Sequence, residues 1–418
     1  MTTARARSVQ HRFLVLRGLR WLPTGLMIPV TVLLMTERGF SLGEIGLISA
    51  AQGVMVLLLE LPTGGLADAL GRRPVLLMAT VVDCIALALF VVAHTFWLLV
   101  AVWLLEGVYR ALESGPLDAW YVDATLAADP DADIERGMSR GGAVLGFAIA
   151  GGALLAGGLV ALDPLSGVEA LAVPLALATA LRLVEIVAVW RLMTEVRPSL
   201  GWSALRASVA AVPAFIGDAV GTVRASGVLM GLLAVELFWG FGMTTFETLL
   251  PPRLAEVAGD ADSAAALLGP SNSAAWLLSA VGAAAVPWVT RRLGSAVTGA
   301  GLRVFQGITV VAMAIAAGPV GVIAAYLATY GIHGAANPVH VALLHREVGA
   351  DHRATVLSVN SMASMSSGAI GGIVLGWLAD TAGLTTAMVT GAVLLALGAP
   401  LYLPAHRAER RRRVPIAV

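Results

Sequence analysis

Apolar residues along this chain fall into long blocks and neither alternate with polar ones nor form narrow stripes. Blocks long enough to cross a bilayer lie near 13–36, 43–66, 74–94, 96–122, 137–160 and 167–192. They resume near 226–250, 263–289, 296–317, 319–343, 354–379 and 382–403. A helix needs about 20 apolar residues to cross about 30 Å of hydrocarbon. Period-two alternation is absent, and a barrel requires it, so each block predicts a helix. The pattern predicts an all-α membrane protein with twelve transmembrane helices in two six-helix bundles. Residues 1–193 form the first bundle, 194–225 a linker, and 226–418 the second bundle with a basic tail.

Composition agrees. The 418 residues are 58% hydrophobic and 13% charged, with a mean hydropathy of +0.84. Soluble domains average about 45–50% apolar and about 25% charged. Net charge is zero, and all 27 basic residues are arginine. Cys84 is the only cysteine, so no intrachain disulfide can form. The first apolar block is flanked by Arg12, Arg17 and Arg20 and lacks a small-residue cleavage site, unlike a signal peptide.

Arginine placement orients the spans. Arg5, Arg7, Arg12, Arg72, Arg73, Arg136, Arg140, Arg191, Arg197, Arg206, Arg224, Arg291, Arg292, Arg346, Arg353, Arg407 and Arg410 to Arg413 fall on one side, Arg38 and Arg253 on the other. The arginine-rich side is expected to be cytoplasmic, with both termini there, in a bacterial inner membrane. In the linker, Trp202, Leu205, Val209, Val212, Ile216, Val220 and Val223 recur at steps of three and four, interrupted by Pro213. Two short amphipathic helices are expected, lying on the membrane surface or packed on the bundle. The tail either touches anionic lipid or anchors the topology.

Two landmarks suggest a duplicated six-span unit. "ALGRR" around Gly71 has a partner in "RRLGS" around Gly294, 223 residues on. Gly115-Pro116 pairs with Asn337-Pro338, 222 residues on. Parallel repeats of this kind suggest a transporter with its site between them.

The stretch Gly64-Gly65-Leu66-Ala67-Asp68-Ala69-Leu70-Gly71-Arg72-Arg73 resembles motif A of the major facilitator superfamily, which lies between spans two and three. Ala69 stands where the family usually has a basic residue. "ELPTG" and "SGPLDAWYVD" are similar to a bacterial exporter-type branch. Span five has Gly142, Gly146, Gly151 and Gly152 but lacks the Gly-Pro pair of the antiporter motif. The resemblance implies a gate formed by Gly64, Asp68, Gly71, Arg72, Arg73 and Asp123. Asp68 is expected to face the start of span eleven, where helix N-termini carry free N–H groups, and Arg72 to reach Asp123.

Ionisable groups at membrane depth cost about 2.5–3.5 kcal/mol each, so they face a cavity or a partner. Glu60, Asp83, Glu106, Arg110 and Glu113 are proton-coupling candidates. The last three sit at i, i+4, i+7 in span four, pairing Arg110 with one acid and leaving another over. Arg110 also falls where the family's motif B places its arginine. A dry site favours the neutral form of such an acid. The alternative is a self-satisfied ion cluster joining spans one and four. Arg182 and Glu185 are expected to pair only with each other.

Substrate-cavity candidates lie in the second half. Glu236, Trp239, Phe241, Met243 and Phe246 put an acid among adaptable apolar surface. Tyr330, His333, Asn337 and His340 form a polar stripe on span ten, a poor set for a metal. No metal and no cofactor are expected. GxxxxGK, HExxH and GxSxG are absent, so the chain is not expected to be an enzyme and energy must come from a gradient.

The expected activity is secondary active transport of a small, apolar or amphipathic molecule by rocker-switch alternating access, with proton-coupled efflux favoured. Facilitated diffusion or uptake, or a non-transporting sensor, are the alternatives. The expected partners are the substrate, protons and the lipid bilayer, with no nucleic acid and no obligate protein partner. If Asp68 is part of a gate, Asp68→Asn lowers flux in proteoliposomes while the melting temperature stays at the wild-type value. Wild-type flux from the folded variant would count against the gate.

Overall fold

The computed structural model describes residues 2–165, 167–195, 201, 203, 206, 209–210, 217, 221–348 and 353–413. The side chains at 2–5, 60–62, 64–65, 68, 353–355 and 412–413 lie outside that description. So do most linker residues, among them Trp202, Leu205, Val212, Pro213, Ile216 and Val220.

Twelve spans follow in order. The first is α1 (Thr2–Met27) with α2 (Thr31–Glu37); then come α3 (Leu42–Leu70) and α4 (Arg72–Val91). The fourth is split into α5 (Phe96–Glu113) and α6 (Pro116–Ala128), followed by α7 (Ile134–Leu162) and α8 (Val173–Leu192). The second six are α9 (Gly227–Glu247) with α10 (Leu250–Ala258), α11 (Ala261–Leu293), α12 (Ser295–Ile315), α13 (Pro319–Glu347), α14 (Arg353–Ala382), and α15 (Leu384–Leu397) with α16 (Leu403–Arg413). Ten of the twelve are long and apolar enough to cross a membrane by that criterion alone. The other two are α5/α6, with Glu106, Arg110 and Glu113, and α13, with His333, Asn337 and His340.

Abrupt corners join successive helices. Gly71 adopts φ 97°, ψ 154° between α3 and α4, and Gly294 adopts φ 85°, ψ 156° between α11 and α12. The two torsion pairs nearly coincide, so the repeat seen in "ALGRR" and "RRLGS" is a repeat of backbone shape. Only glycine takes this region without a Cβ penalty. The second landmark behaves differently in the two halves. Gly115 is left-handed and breaks span four before Pro116, whereas Pro338 stays inside continuous α13.

The chain separates into two compact units. The first comprises Met1–Leu34, Ala51–Val212 and Ala265–Ser273. The second comprises Met35–Ala50, Pro213–Ala264 and Ala274–Val418. The change-over at 212/213 falls in the linker, but α3 and α11 each contribute to both units.

In the first unit, Phe13, Leu16, Trp120 and Tyr121 form a buried core, with the Phe13 and Tyr121 rings stacked at 4.3 Å. The Ser273 hydroxyl donates to the Ala150 carbonyl at 2.7 Å and fixes α11 to α7. In the second unit, Leu229, Leu232, Val235, Val339, Leu343 and Tyr402 form the core.

The first turn of α3 belongs to the second unit and has a complete set of acceptors. Ser41 and Glu44 form a reciprocal capping box, with N–H to carboxylate 2.9 Å and N–H to hydroxyl 3.2 Å. The Leu42 and Gly43 N–H groups donate to the Asp380 carboxylate at 3.0 and 2.7 Å. Below this cap, a Cβ on Gly46 would lie 2.1 Å from the Gly372 carbonyl oxygen, so α3 meets α14 backbone to backbone. Replacing an N-cap acceptor costs about 0.5–2 kcal/mol. Asp380→Ala is therefore expected to speed amide exchange at Leu42 and Gly43 about tenfold. Glu44, held by Ser41, keeps its protection. Unchanged exchange at all three amides would show that the carboxylate does not cap α3.

Candidate functional site

In the first unit the gate residues meet partly as the sequence suggests. Gly71 ends α3, and Arg72, first in α4, forms an ion pair with Asp123 of α6. Arg73 turns the other way. Its N–H donates to Glu195 at 3.0 Å and its guanidinium to the Trp190 carbonyl at 2.6 Å, tying α4 to the end of α8. Gly64 lies within α3, but the side chains of Glu60 and Asp68, like those at 353–355, are outside the described residues.

At membrane depth two arginines organise the acids. Arg182 of α8 is buried and pairs with Asp83 of α4 and with Glu185 at 2.6 Å. It also donates to the Arg20 carbonyl at 2.8 Å. Arg20 pairs with Glu113 at 2.5 Å, and Arg17 with Asp118 at 2.8 Å, so α1 is bolted to α5 and α6. The Tyr109 ring lies 4.4 Å from the Arg20 guanidinium and 5.2 Å from that of Arg182. Glu106 is buried beside Asp83, Arg182 and Arg20, and its Oε1 has neither solvent nor a hydrogen-bond donor among the described residues.

Two expectations need correcting here. Arg110 is exposed and forms no ion pair with Glu106 or Glu113 among the described residues; the ion pair of Glu113 is with Arg20 from α1. Along an ideal helix Arg110 lies 40° from Glu106 and about 60° from Glu113, so its long side chain can leave the stripe toward water near the helix end. Arg182 and Glu185 are also more than a local pair, because Asp83 joins them from another helix. The ion cluster linking spans one and four is present, and Glu106 is the acid left over.

The second unit holds a separate polar column. Glu236 of α9 lies 3.5 Å from the Arg303 guanidinium of α12 and 3.3 Å from His340 Nε2 of α13. His340 Nε2 is also 3.1 Å from Asn360 Oδ1, and Nδ1 is 3.1 Å from the Tyr402 hydroxyl. A ring that donates from Nε2 and accepts at Nδ1 satisfies all these contacts while neutral. Trp239 stacks on His333 at 5.6 Å and 17°, with Arg303 5.6 Å from the Trp239 ring. Tyr330 donates to Glu247 at 2.5 Å and contacts Phe246, Tyr326, Trp276 and His333.

The predicted stripe on α13 therefore divides. His340 joins the ion cluster, His333 and Tyr330 join the aromatics, and Asn337 is exposed. Phe241 and Met243 are half-buried beside them in sequence. Arg303 and Gln306, buried in α12, went unnoticed in the sequence. An arginine and a glutamine three residues apart inside an apolar block were the available signal. Among the described residues no three His, Cys, Asp or Glu side chains cluster closely enough to share a metal ion.

The profile of the Major Facilitator Superfamily matches residues 14–372. The chain belongs to that superfamily. Its fold is shared by solved members at low sequence identity. The nucleoside transporter NupG superposes with a TM-score of 0.77 at 14% identity, covering 94% of this chain and 98% of that one. A bacterial homologue of the human lysosomal transporter Spinster, inward-facing and unoccupied, gives 0.77 at 14% identity over 99% of both chains. A peptide transporter, POT, in complex with sulfate gives 0.71 at 16% identity, over 98% of this chain and 99% of that one. No curated protein matches the sequence. Membership makes the chain a multi-pass membrane transporter of a small molecule, not an enzyme.

In this superfamily member the arginine network ties α1, α4, α5 and α8 together. Removing one partner of a buried ion pair costs about 3–5 kcal/mol. Arg182→Met is expected to lower the melting temperature in detergent sharply. Adding Asp83→Asn and Glu185→Gln to the same protein restores most of the loss. A single variant as stable as wild type would remove Arg182 from this role.

Proposed function

We propose that this transporter couples substrate export to proton entry, with Glu106 as the proton carrier. The supporting observation is the charge inventory of the buried cluster. Asp83 and Glu185 share Arg182, and Glu113 takes Arg20, while Glu106 lacks a basic partner of its own. Buried among three other acids, with no guanidinium of its own among the described residues, Glu106 is the member of the cluster placed to take up and release a proton. Losing that proton leaves Glu106 to compete with Asp83 and Glu113 for the same two guanidiniums. The pairing that fixes α1, α4, α5 and α8 then changes with the proton, and this links protonation to alternating access.

The second unit supplies recognition in this reading. Trp239, Phe246, Tyr330 and His333 present aromatic surface, and Glu236, already held by Arg303 and His340, is the nearby charged group. That surface suits a small amphipathic molecule. The Arg72–Asp123 pair is the gate contact, on the arginine-rich side assigned here to the cytoplasm of a bacterial inner membrane.

The test is flux in proteoliposomes, with and without an imposed pH gradient, using tetraphenylphosphonium and a set of neutral amphipaths as probes. Wild-type protein is expected to move a probe against its gradient when protons flow the other way. Glu106→Gln is expected to lose this accumulation while still exchanging probe across the membrane. Equal accumulation by variant and wild type would remove Glu106, and gradient-independent flux in the wild type would favour facilitated diffusion.

A further inference from the structure

A groove of about 760 Å³ runs along the outside of the second unit, between α12 and α15, and ends beneath α16. Its floor is made of small side chains, Ala296, Ala300 and Gly301, and its sides of Val304 and Leu397. His406 stands at the α16 end. The flanks are apolar and exposed, Leu397 at 54% and Leu403 at 51%. Both lie in a span that crosses the bilayer, so hydrocarbon is the surrounding medium.

The exposed charge at the polar end is basic. Glu409 is used inside the fold, accepting from the Ala296 N–H at 3.2 Å and pairing with Arg346 at 3.3 Å. These contacts hold α16 over the start of α12. Arg407, Arg410 and Arg411 are exposed, and no ion pair is recorded for them among the described residues. His406 lines the α16 end of the apolar trough, and the exposed Arg407 and Arg410 follow it on the same helix, Arg410 four residues on and so on nearly the same face.

We propose that this groove binds an anionic phospholipid, its acyl chain along α12 and its phosphate beneath Arg407 and Arg410. The trough explains the chain, and the basic turns of α16 explain the preference for net negative charge. A zwitterionic lipid fits the trough but gains little from the arginines. A soluble phosphate meets the arginines but leaves the trough empty.

The test uses full-length protein in detergent, equilibrated with equal amounts of phosphatidylglycerol and phosphatidylcholine, and native mass spectrometry to count retained lipid. Phosphatidylglycerol is expected in several-fold excess, undiminished by millimolar glycerol phosphate. Arg407→Gln with Arg410→Gln should cut that preference about fivefold per arginine. Ala300→Trp, which fills the trough, should reduce retention of both lipids. If Ala300→Trp does not fold, the exposed arginine pair carries the test alone. Equal retention of the two lipids by wild type would overturn the proposal. So would displacement by glycerol phosphate, or an arginine variant with unchanged preference.

Discussion

The cost of charge in hydrocarbon is the constraint on which the rest of this structure depends. Each ionisable group at membrane depth carries a penalty of about 2.5–3.5 kcal/mol unless it finds a partner. In the first unit Arg182 meets that demand for two acids at once, and Arg20 meets it for a third while its carbonyl accepts from Arg182. The contacts tie α1, α4, α5 and α8 at one point. Apolar packing between helices has no preferred register against lipid, since lipid tails are as apolar as leucine. The ion cluster supplies the register that hydrophobicity does not.

The all-α, multi-span fold was legible in the sequence, because the length of an apolar block is a one-dimensional signal. Gly71 was readable as a corner since its neighbours fix the turn, and Arg72 reached Asp123 as the motif resemblance implied. The pairings inside the bundles were harder to read. Glu106, Arg110 and Glu113 share a helix face by spacing, yet spacing on one helix says nothing of the arginine brought from α1. Arg20 and Arg303 sit near span ends or inside apolar blocks, where positive-inside counting treats them as anchors or as noise. Asp380 was invisible for a similar reason. An acid late in span eleven has no local signature, and its meaning comes only from the α3 first turn 337 residues away.

The capped start of α3 also shows why its small residues matter. Gly46 and Gly372 let two backbones touch, and Ser41, Glu44 and Asp380 satisfy four amides that would otherwise need water. Helix α3 starts in one compact unit and ends in the other, at the Gly71 corner beside the Arg72–Asp123 pair. Its two ends are thus fixed by different chemistry, a carboxylate on amides at one and a guanidinium on a carboxylate just past the other.

The two units differ in how their buried charges are partnered. Around Glu236 one carboxylate faces one guanidinium, and His340, Asn360 and Tyr402 complete a hydrogen-bond set that a neutral imidazole satisfies. That set partners Glu236 and both ring nitrogens of His340, while Arg303 Nε and Gln306 Nε2 are buried without a hydrogen-bond partner among the described residues. Around Glu106 two guanidiniums serve three carboxylates, and the fourth, Glu106, has no hydrogen-bond partner at Oε1 among the described residues. In the coupling proposed above, loss of the Glu106 proton would leave two guanidiniums to be shared among four carboxylates. A coupling site needs that sensitivity and a recognition surface needs the opposite. Under that proposal, the proton would act in the first unit and the aromatic column of the second would hold the cargo.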